Sequence, residues 1–183
     1  MSEVKAFTNL RMQDREGRDS LNPIAVIRED HERQIRLCDT LTDMAETLAE
    51  GNQPALVLSA LSLFREELPR HIKDEEEGLF PLLEKRLSGD RQFTAMLKQL
   101  RNEHEFDEDL ADFILEDLAI LEKGHTIPNP QRLYNNLRAF AEALRRHTAW
   151  EETTVLTIAE EQLSDTDLDQ LRREMVERRL NPA

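Results

Sequence analysis

Histidine and glutamate side chains recur along the chain at spacings that suit a metal site. His71 and His147 each stand four residues before a candidate glutamate, Glu75 or Glu151, so each pair would lie one helical turn apart on the same helix face. Imidazole and carboxylate ligands without a thiolate suit iron, manganese or zinc, and they argue against a structural zinc site built on cysteines. The candidate ligands are His31, His71, Glu75, His104, His147 and Glu151.

The same arrangement occurs twice, which indicates an internal duplication. His104 lies 73 residues after His31, and His147 lies 76 residues after His71. Each half of the chain would therefore supply one helix with a histidine and a second helix with a His-x-x-x-Glu pair. Two halves packed about a pseudo-twofold axis would bring all six side chains to one level of the core.

Four apolar stripes with three- and four-residue steps predict the helices that position these residues. Asn22 and Pro23 give the first helix an N-cap and an N1 proline, and its stripe ends at Gly51. Pro69 and Pro81 fall inside the second helix, where each removes a hydrogen bond, so we expect a kink near the first and a weakened turn near the second. The expected helices cover roughly 22–51, 54–87, 91–123 and 130–162.

Long helices joined by short turns predict an all-α fold, an antiparallel up-down-up-down four-helix bundle. We expect an N-terminal arm at 1–21, the bundle at 22–162, and a short C-terminal fifth helix with a tail at 163–183. Ser164 and Asp167 resemble a capping box that would begin this fifth helix.

The composition excludes several classes of function. The net charge of −14 disfavours binding to nucleic acid, because an acidic surface repels the phosphate backbone. The single cysteine, Cys38, rules out an intrachain disulfide. No stretch approaches the roughly 20 apolar residues of a membrane span, and the N-terminal residues do not resemble a secretory signal. We therefore expect a cytoplasmic protein without a membrane partner.

All six candidate ligands fall on the apolar stripes, so they should be buried. Buried carboxylates without a partner are costly, and a bound cation offsets that cost. Two carboxylates shared between metals favour a dinuclear site. Such a ligand set leaves room for an oxo or hydroxo bridge and for an incoming small molecule.

This ordered set of residues resembles the hemerythrin-like HHE cation-binding domain over roughly residues 22–160. The resemblance includes the six candidate ligands in order and the Leu79-Phe80-Pro81 sequence that follows the second histidine. It implies two iron ions (Fe2+/Fe3+), without haem, inside an up-down-up-down bundle.

One position departs from the oxygen-carrying hemerythrins, which have five histidines and a His-x-x-x-His pair on the third helix. Glu108 stands four residues after His104 here, and we count it as a further candidate for a ligand or site-lining residue. A set of four histidines and two glutamates looks more like the repair-of-iron-centres branch, which is linked to nitrosative stress and iron delivery.

The leading functional prediction is a di-iron protein that binds or reacts with O2, NO or a peroxide, in oxidative or nitrosative stress or in iron homeostasis. One alternative is iron storage or donation without turnover. Another is a structural bundle in which zinc stabilises the fold. The sequence leaves open whether the protein is an enzyme, which metal it holds in the cell, and its oligomeric state.

Overall fold

Five helices account for most of the protein. The computed structural model describes residues 22–48 and 54–180, and no strand occurs in these ranges. Three helices are regular: α1 is Pro23–Thr47, α3 is Arg91–Glu122 and α5 is Asp165–Leu180. The predicted all-α fold is confirmed. The expected N-terminal arm at 1–21 and the expected helix end at Gly51 lie outside the described residues.

The other two helices, α2 (54–86) and α4 (130–162), contain π-helical segments. The successive parts of α2 are Pro54–Ser62, the π-helical Leu63–Glu67, Leu68–Asp74, the π-helical Glu75–Leu79, and Phe80–Arg86. The parts of α4 are Pro130–Trp150, the π-helical Glu151–Val155 and Leu156–Gln162. Two of the three π-helical segments therefore begin at a glutamate that the sequence predicts as a ligand.

The helices α1 to α4 form a four-helix bundle. α1 contacts α2 and α4, and α3 contacts the same two helices, so the four surround a common core. Short connections at 87–90 and 123–129 return the chain, which makes consecutive helices antiparallel. None of the described helices combines the length and the apolar composition that a membrane span requires.

Side-chain caps fix the starts of three helices. The Asn22 carboxamide oxygen accepts from the backbone N–H of the second helical residue, and Asp90 and Asn129 accept equivalent bonds at the starts of α3 and α4. Gly124, with a φ of 74°, lies just after the end of α3, in a conformation that a residue with a Cβ rarely adopts.

Both internal prolines of α2 come two residues after a π-helical segment. The backbone N–H of Leu68 bonds to the Leu63 carbonyl, and the N–H of Phe80 bonds to the Glu75 carbonyl, five residues back in each case. In a regular helix each proline ring would clash with the carbonyl of the preceding turn. The wider π-helical turn before each proline already departs from that regular geometry. The helix continues through Pro69 and Pro81 and ends at Arg86.

The apolar core divides into two clusters along the bundle. In α1 one cluster includes residues before His31, such as Ile24 and Ile27, and the other includes later residues, such as Cys38 and Leu41. The level of His31 therefore separates two apolar regions, and a polar site there is closed off from both ends of the bundle.

The fifth helix packs beside α1 and α2. Its Leu171 and Met175 are buried in the cluster that includes Ile24. The predicted capping box forms, because the Ser164 backbone N–H donates to the Asp167 carboxylate over 2.9 Å and the Asp167 N–H donates back to the Ser164 hydroxyl over 3.4 Å.

Candidate metal centre

The six predicted ligands converge at one level of the bundle, and all six are buried. They form two groups of four, in each of which the possible ligand atoms lie within 4.8 Å of one another. Glu75 and Glu151 belong to both groups. This geometry provides two metal positions with two shared carboxylates. One group is His31, His71, Glu75 and Glu151, and the other is His104, His147, Glu75 and Glu151.

The first position has its two imidazole nitrogens directed at the shared carboxylates. His31 Nε2 lies 3.5 Å from Glu75 Oε1 and 3.3 Å from Glu151 Oε2. His71 Nε2 lies 3.4 Å from Glu75 Oε2. The carboxylate and imidazole atoms therefore face a common centre instead of pairing with neighbours outside the cluster.

The second position repeats this pattern with the ligands of the other half. His147 Nε2 lies 3.1 Å from Glu151 Oε1, and His104 Nε2 lies 3.4 Å from Glu75 Oε2. The two Nε2 atoms of His104 and His147 are only 3.0 Å apart. Two ring nitrogens that converge in this way suit a shared cation, to which both would offer a lone pair.

The carboxylate oxygens supply an independent test of whether metal ions fit. Both oxygens of Glu75 and both oxygens of Glu151 are buried and have no hydrogen-bond partner. Unpartnered carboxylate oxygens in a core are strongly unfavourable unless a cation compensates them. The residues therefore fit a pair of metal ions, held by nitrogen and oxygen atoms alone.

A comparison with protein families agrees with this geometry. The family described as "Hemerythrin HHE cation binding domain" matches residues 22–159, which is most of the chain. The chain belongs to the hemerythrin HHE cation-binding family. A search among curated proteins returns no match. The hemerythrin domain covers α1 to α4, and α5 lies beyond the matched residues.

Two of the three π-helical segments described in the hemerythrin domain begin at the two shared glutamates. The Glu75 N–H bonds to the carbonyls of both His71 and Ile72, and the Glu151 N–H bonds in the same way to His147 and Thr148. Position 157, which corresponds to Pro81, is a threonine, so the segment at Glu151 forms without a proline. Because π-helical turns are frequent at functional sites, we attribute both segments to the placement of the glutamates.

A second set of carboxylates holds the outer nitrogens of three ligand histidines. Glu152 lies 2.7 Å from His31 Nδ1, and Glu76 lies 2.7 Å from His104 Nδ1. Glu103 lies 3.3 Å from His147 Nδ1. A carboxylate at Nδ1 favours the tautomer whose Nε2 lone pair points inward and makes the imidazole a stronger metal ligand.

The sequence prediction missed these three outer carboxylates. Glu76 and Glu152 occupy the same place in the two halves, each directly after a shared glutamate, and Glu103 directly precedes a ligand histidine. The internal repeat was a sufficient signal for the first two. The sequence prediction did not apply the requirement that a metal-bound histidine finds an acceptor for its other ring nitrogen.

The fourth histidine has no such partner. His71 Nδ1 is buried and forms no hydrogen bond. The repeat places Asp30 where the other half has Glu103, but Asp30 has one methylene fewer and forms ion pairs with Arg33 and Arg179. The two halves therefore have equivalent ligands. They differ in the carboxylates at the Nδ1 atoms of those ligands, because His71 alone of the four histidines has none.

The structure does not bring Glu108 to the cluster. Its side chain is exposed, and Asp107 is the buried residue of this turn. The inward face of α3 runs through His104, Asp107 and Ala111, so its first step is three residues and not the four that we assumed. Burial raises the pKa of Asp107 to about 6. The remaining six predicted ligands lie together.

The outer carboxylates give a testable prediction about metal affinity. Replacing Glu152 or Glu76 with glutamine should weaken metal binding about 10- to 100-fold, because the neutral amide supports the histidine less strongly. Competition with a chelator measures the change. Glu77→Gln is the matched control, since Glu77 is the exposed neighbour of Glu76 and should leave the affinity unchanged. Equal affinities for all three variants would contradict the supporting role.

Proposed function

We propose that the protein is a non-haem di-iron protein that binds or reacts with a small ligand such as O2, NO or a peroxide. The observation that supports this most strongly is the pair of four-residue groups that share Glu75 and Glu151. Bound iron would supply redox chemistry and open coordination positions. Two imidazoles and two shared carboxylates per metal leave a six-coordinate ion with room for a ligand.

Oxidative or nitrosative stress, or iron homeostasis, is the setting that we propose for this activity. The cytoplasmic location, the small-molecule partner and the absence of a nucleic-acid partner stay predictions from the sequence. Iron is preferred over zinc because the family resemblance implies a di-iron site. Cys38 is buried two turns beyond His31, roughly 10 Å along the axis, and is out of reach of the same ion.

Gln34 supports the small-ligand part of the proposal. It is buried and lies three residues after His31, on the same face of α1. Helical side chains lean towards the helix N-terminus, which directs the amide back to the level of the ligands. Both polar atoms of the amide lack a hydrogen-bond partner. An unpartnered amide there is suited to donate a hydrogen bond to a small molecule held at the metal.

Azide titration of the iron-loaded protein tests this function. The wild-type visible spectrum should change with saturation, because an anion that binds iron alters its ligand field. Gln34→Met keeps the volume but removes the amide, and we expect azide to bind about 5- to 10-fold more weakly, as one lost hydrogen bond implies. Gln131→Met is the control, because Gln131 is exposed at the start of α4. Equal azide affinities for both variants would refute the role of Gln34.

The azide titration, together with tests of NO binding, iron transfer and zinc uptake, separates the rival functions. Iron-loaded protein that responds neither to azide nor to NO, but transfers its iron to an apo-acceptor, would be an iron storage or donation protein. Protein that folds tightly around zinc and takes up no iron would contain a structural site. Either result would overturn the proposed function.

A further inference from the structure

The two metal positions are built from equivalent ligands but have unequal surroundings. In the second half, Glu103 on α3 reaches across to His147 on α4, at 3.3 Å from Nδ1. The equivalent reach in the first half would be from Asp30 on α1 to His71 on α2. The structure has no such contact between Asp30 and His71, since His71 Nδ1 is buried without a hydrogen-bond partner.

Asp30 is held elsewhere by two arginines, Arg33 of its own helix and Arg179 of the C-terminal helix. It is a buried residue, and Arg179 of α5 lies 3.4 Å from its Oδ2. The same guanidinium lies 2.7 Å from the fully buried Asp74, which directly precedes Glu75. Arg178 also pairs with Asp74, at 2.8 Å. α5 therefore anchors the two helices that carry His31 and His71.

This anchoring exists in the first half alone. The residue of α4 that corresponds to Asp74 is Trp150, which carries no charge. The helix α5 follows the family-matched residues, so the arginine contacts are an addition to the hemerythrin domain. In the first half Asp30 is paired with arginine and does not support a histidine. In the second half Glu103 still contacts His147 Nδ1.

We infer that Arg179, together with Arg33, is a positioning residue that keeps Asp30 away from His71, and that the ion held by His31 and His71 is consequently the more labile of the two. The inference rests on the proposed di-iron site. An imidazole whose Nδ1–H has no carboxylate acceptor is a weaker ligand, since support of this kind typically changes metal affinity 10- to 100-fold. The His104 and His147 position has carboxylates on both imidazoles and should hold its ion longer.

Release of ferrous iron to an excess of a colorimetric chelator tests the inference. The full-length wild-type protein, loaded with two irons, should release them in two phases of equal amplitude, with rates that differ about tenfold. The triple variant Asp30→Glu with Arg33→Met and Arg179→Met gives His71 a carboxylate of the length of Glu103 and removes both competing guanidinium groups. Its fast phase should slow until the two phases merge.

Two further variants separate a positioning role from a general loss of stability. Glu103→Asp shortens the supporting carboxylate of the second half, so the slow phase should become fast while the fast phase stays unchanged. Arg173→Met, at an exposed position of α5, should leave both phases unchanged. Because Glu103→Asp leaves α5 intact, it keeps the inference testable if the triple variant does not fold.

The possible outcomes distinguish this inference from the proposed function. Wild-type protein that binds fewer than two irons would overturn both. Two irons that leave in a single phase would overturn the inference alone, as would a fast phase that the triple variant leaves unchanged. A slow phase that persists in Glu103→Asp would show that carboxylate length does not set lability.

Discussion

Replacing Glu75 or Glu151 with alanine is expected to remove more bound iron than replacing His31. Each glutamate belongs to both ligand groups, so its loss takes an oxygen ligand from both metal positions. His31 belongs to one group, and its loss weakens one position. We expect His31→Ala to retain about one iron per chain at a chelator concentration that strips either glutamate variant of nearly all its iron.

A chelator titration of the purified variants measures this difference. Glu108→Ala is the control, because its side chain is exposed and should keep the wild-type iron content. Circular dichroism of each apo-variant shows whether the helices are retained. If His31→Ala and Glu75→Ala lose iron at the same chelator concentration, the glutamates do not act at both positions.

Removal of the metal is expected to lower the melting temperature by about 10 °C or more. Binding to the folded state alone stabilises a protein by about 4 kcal/mol when the free ligand is a thousandfold above its Kd, and each kcal/mol shifts the melting temperature of a chain of this size by about 2–4 °C. Without the ions, Glu75 and Glu151 face each other in the core. A melting temperature that is unchanged after chelation would place the metals outside the core.

The metal-free protein should also acquire a pH dependence. Burial alone would lower the pKa of His31, but the carboxylates of Glu151 and Glu75 raise it to about 10. Burial opposes protonation of His104 as well, and Glu75 and Glu76 raise its pKa to about 10. In the unfolded chain both pKa values are near 6.5. The stability that these two protons contribute is therefore complete below pH 6.5 and is lost as the pH rises through about 10.

His71 determines how the stability of the apo-protein changes at acid pH. Burial lowers its pKa to about 4, so the stability linked to its neutral form is present above pH 6.5 and is lost as the pH falls towards 4. Apo-protein should accordingly be most stable near pH 6.5, and its melting temperature should fall towards pH 10. The metal-loaded protein should change less over this alkaline range, because metal ions replace the protons. Apo-protein with a constant melting temperature from pH 7 to 9 would contradict the carboxylate contacts of His31 and His104.

The ligand set could be predicted from sequence because it combines two regularities. Helical periodicity places His71 and Glu75 on one face, and the repeat at His147 and Glu151 makes a chance pattern improbable. The same periodicity cannot decide between steps of three and four residues on a broad inward face. The choice between Asp107 and Glu108 therefore depended on the rotation of α3 in the bundle, which packing determines.

Other features depend on contacts that no local pattern encodes. The π-helical segments at Glu75 and Glu151 break the regular helical hydrogen bonding, and the shared site gives the reason for that break. The contact between Arg179 and Asp30 joins residues 149 positions apart, and it requires the docked position of α5. The Ser164 and Asp167 capping box was predictable because it is local.

Iron content combined with the visible spectrum is the most direct test of the central claim that the bundle holds two irons between two shared glutamates. Protein reconstituted with iron and freed of excess metal should contain two irons per chain by elemental analysis, and after exposure to air it should show the charge-transfer absorption of a coupled ferric pair. Saturation at one metal per chain, or a colourless protein that prefers zinc, would contradict the account.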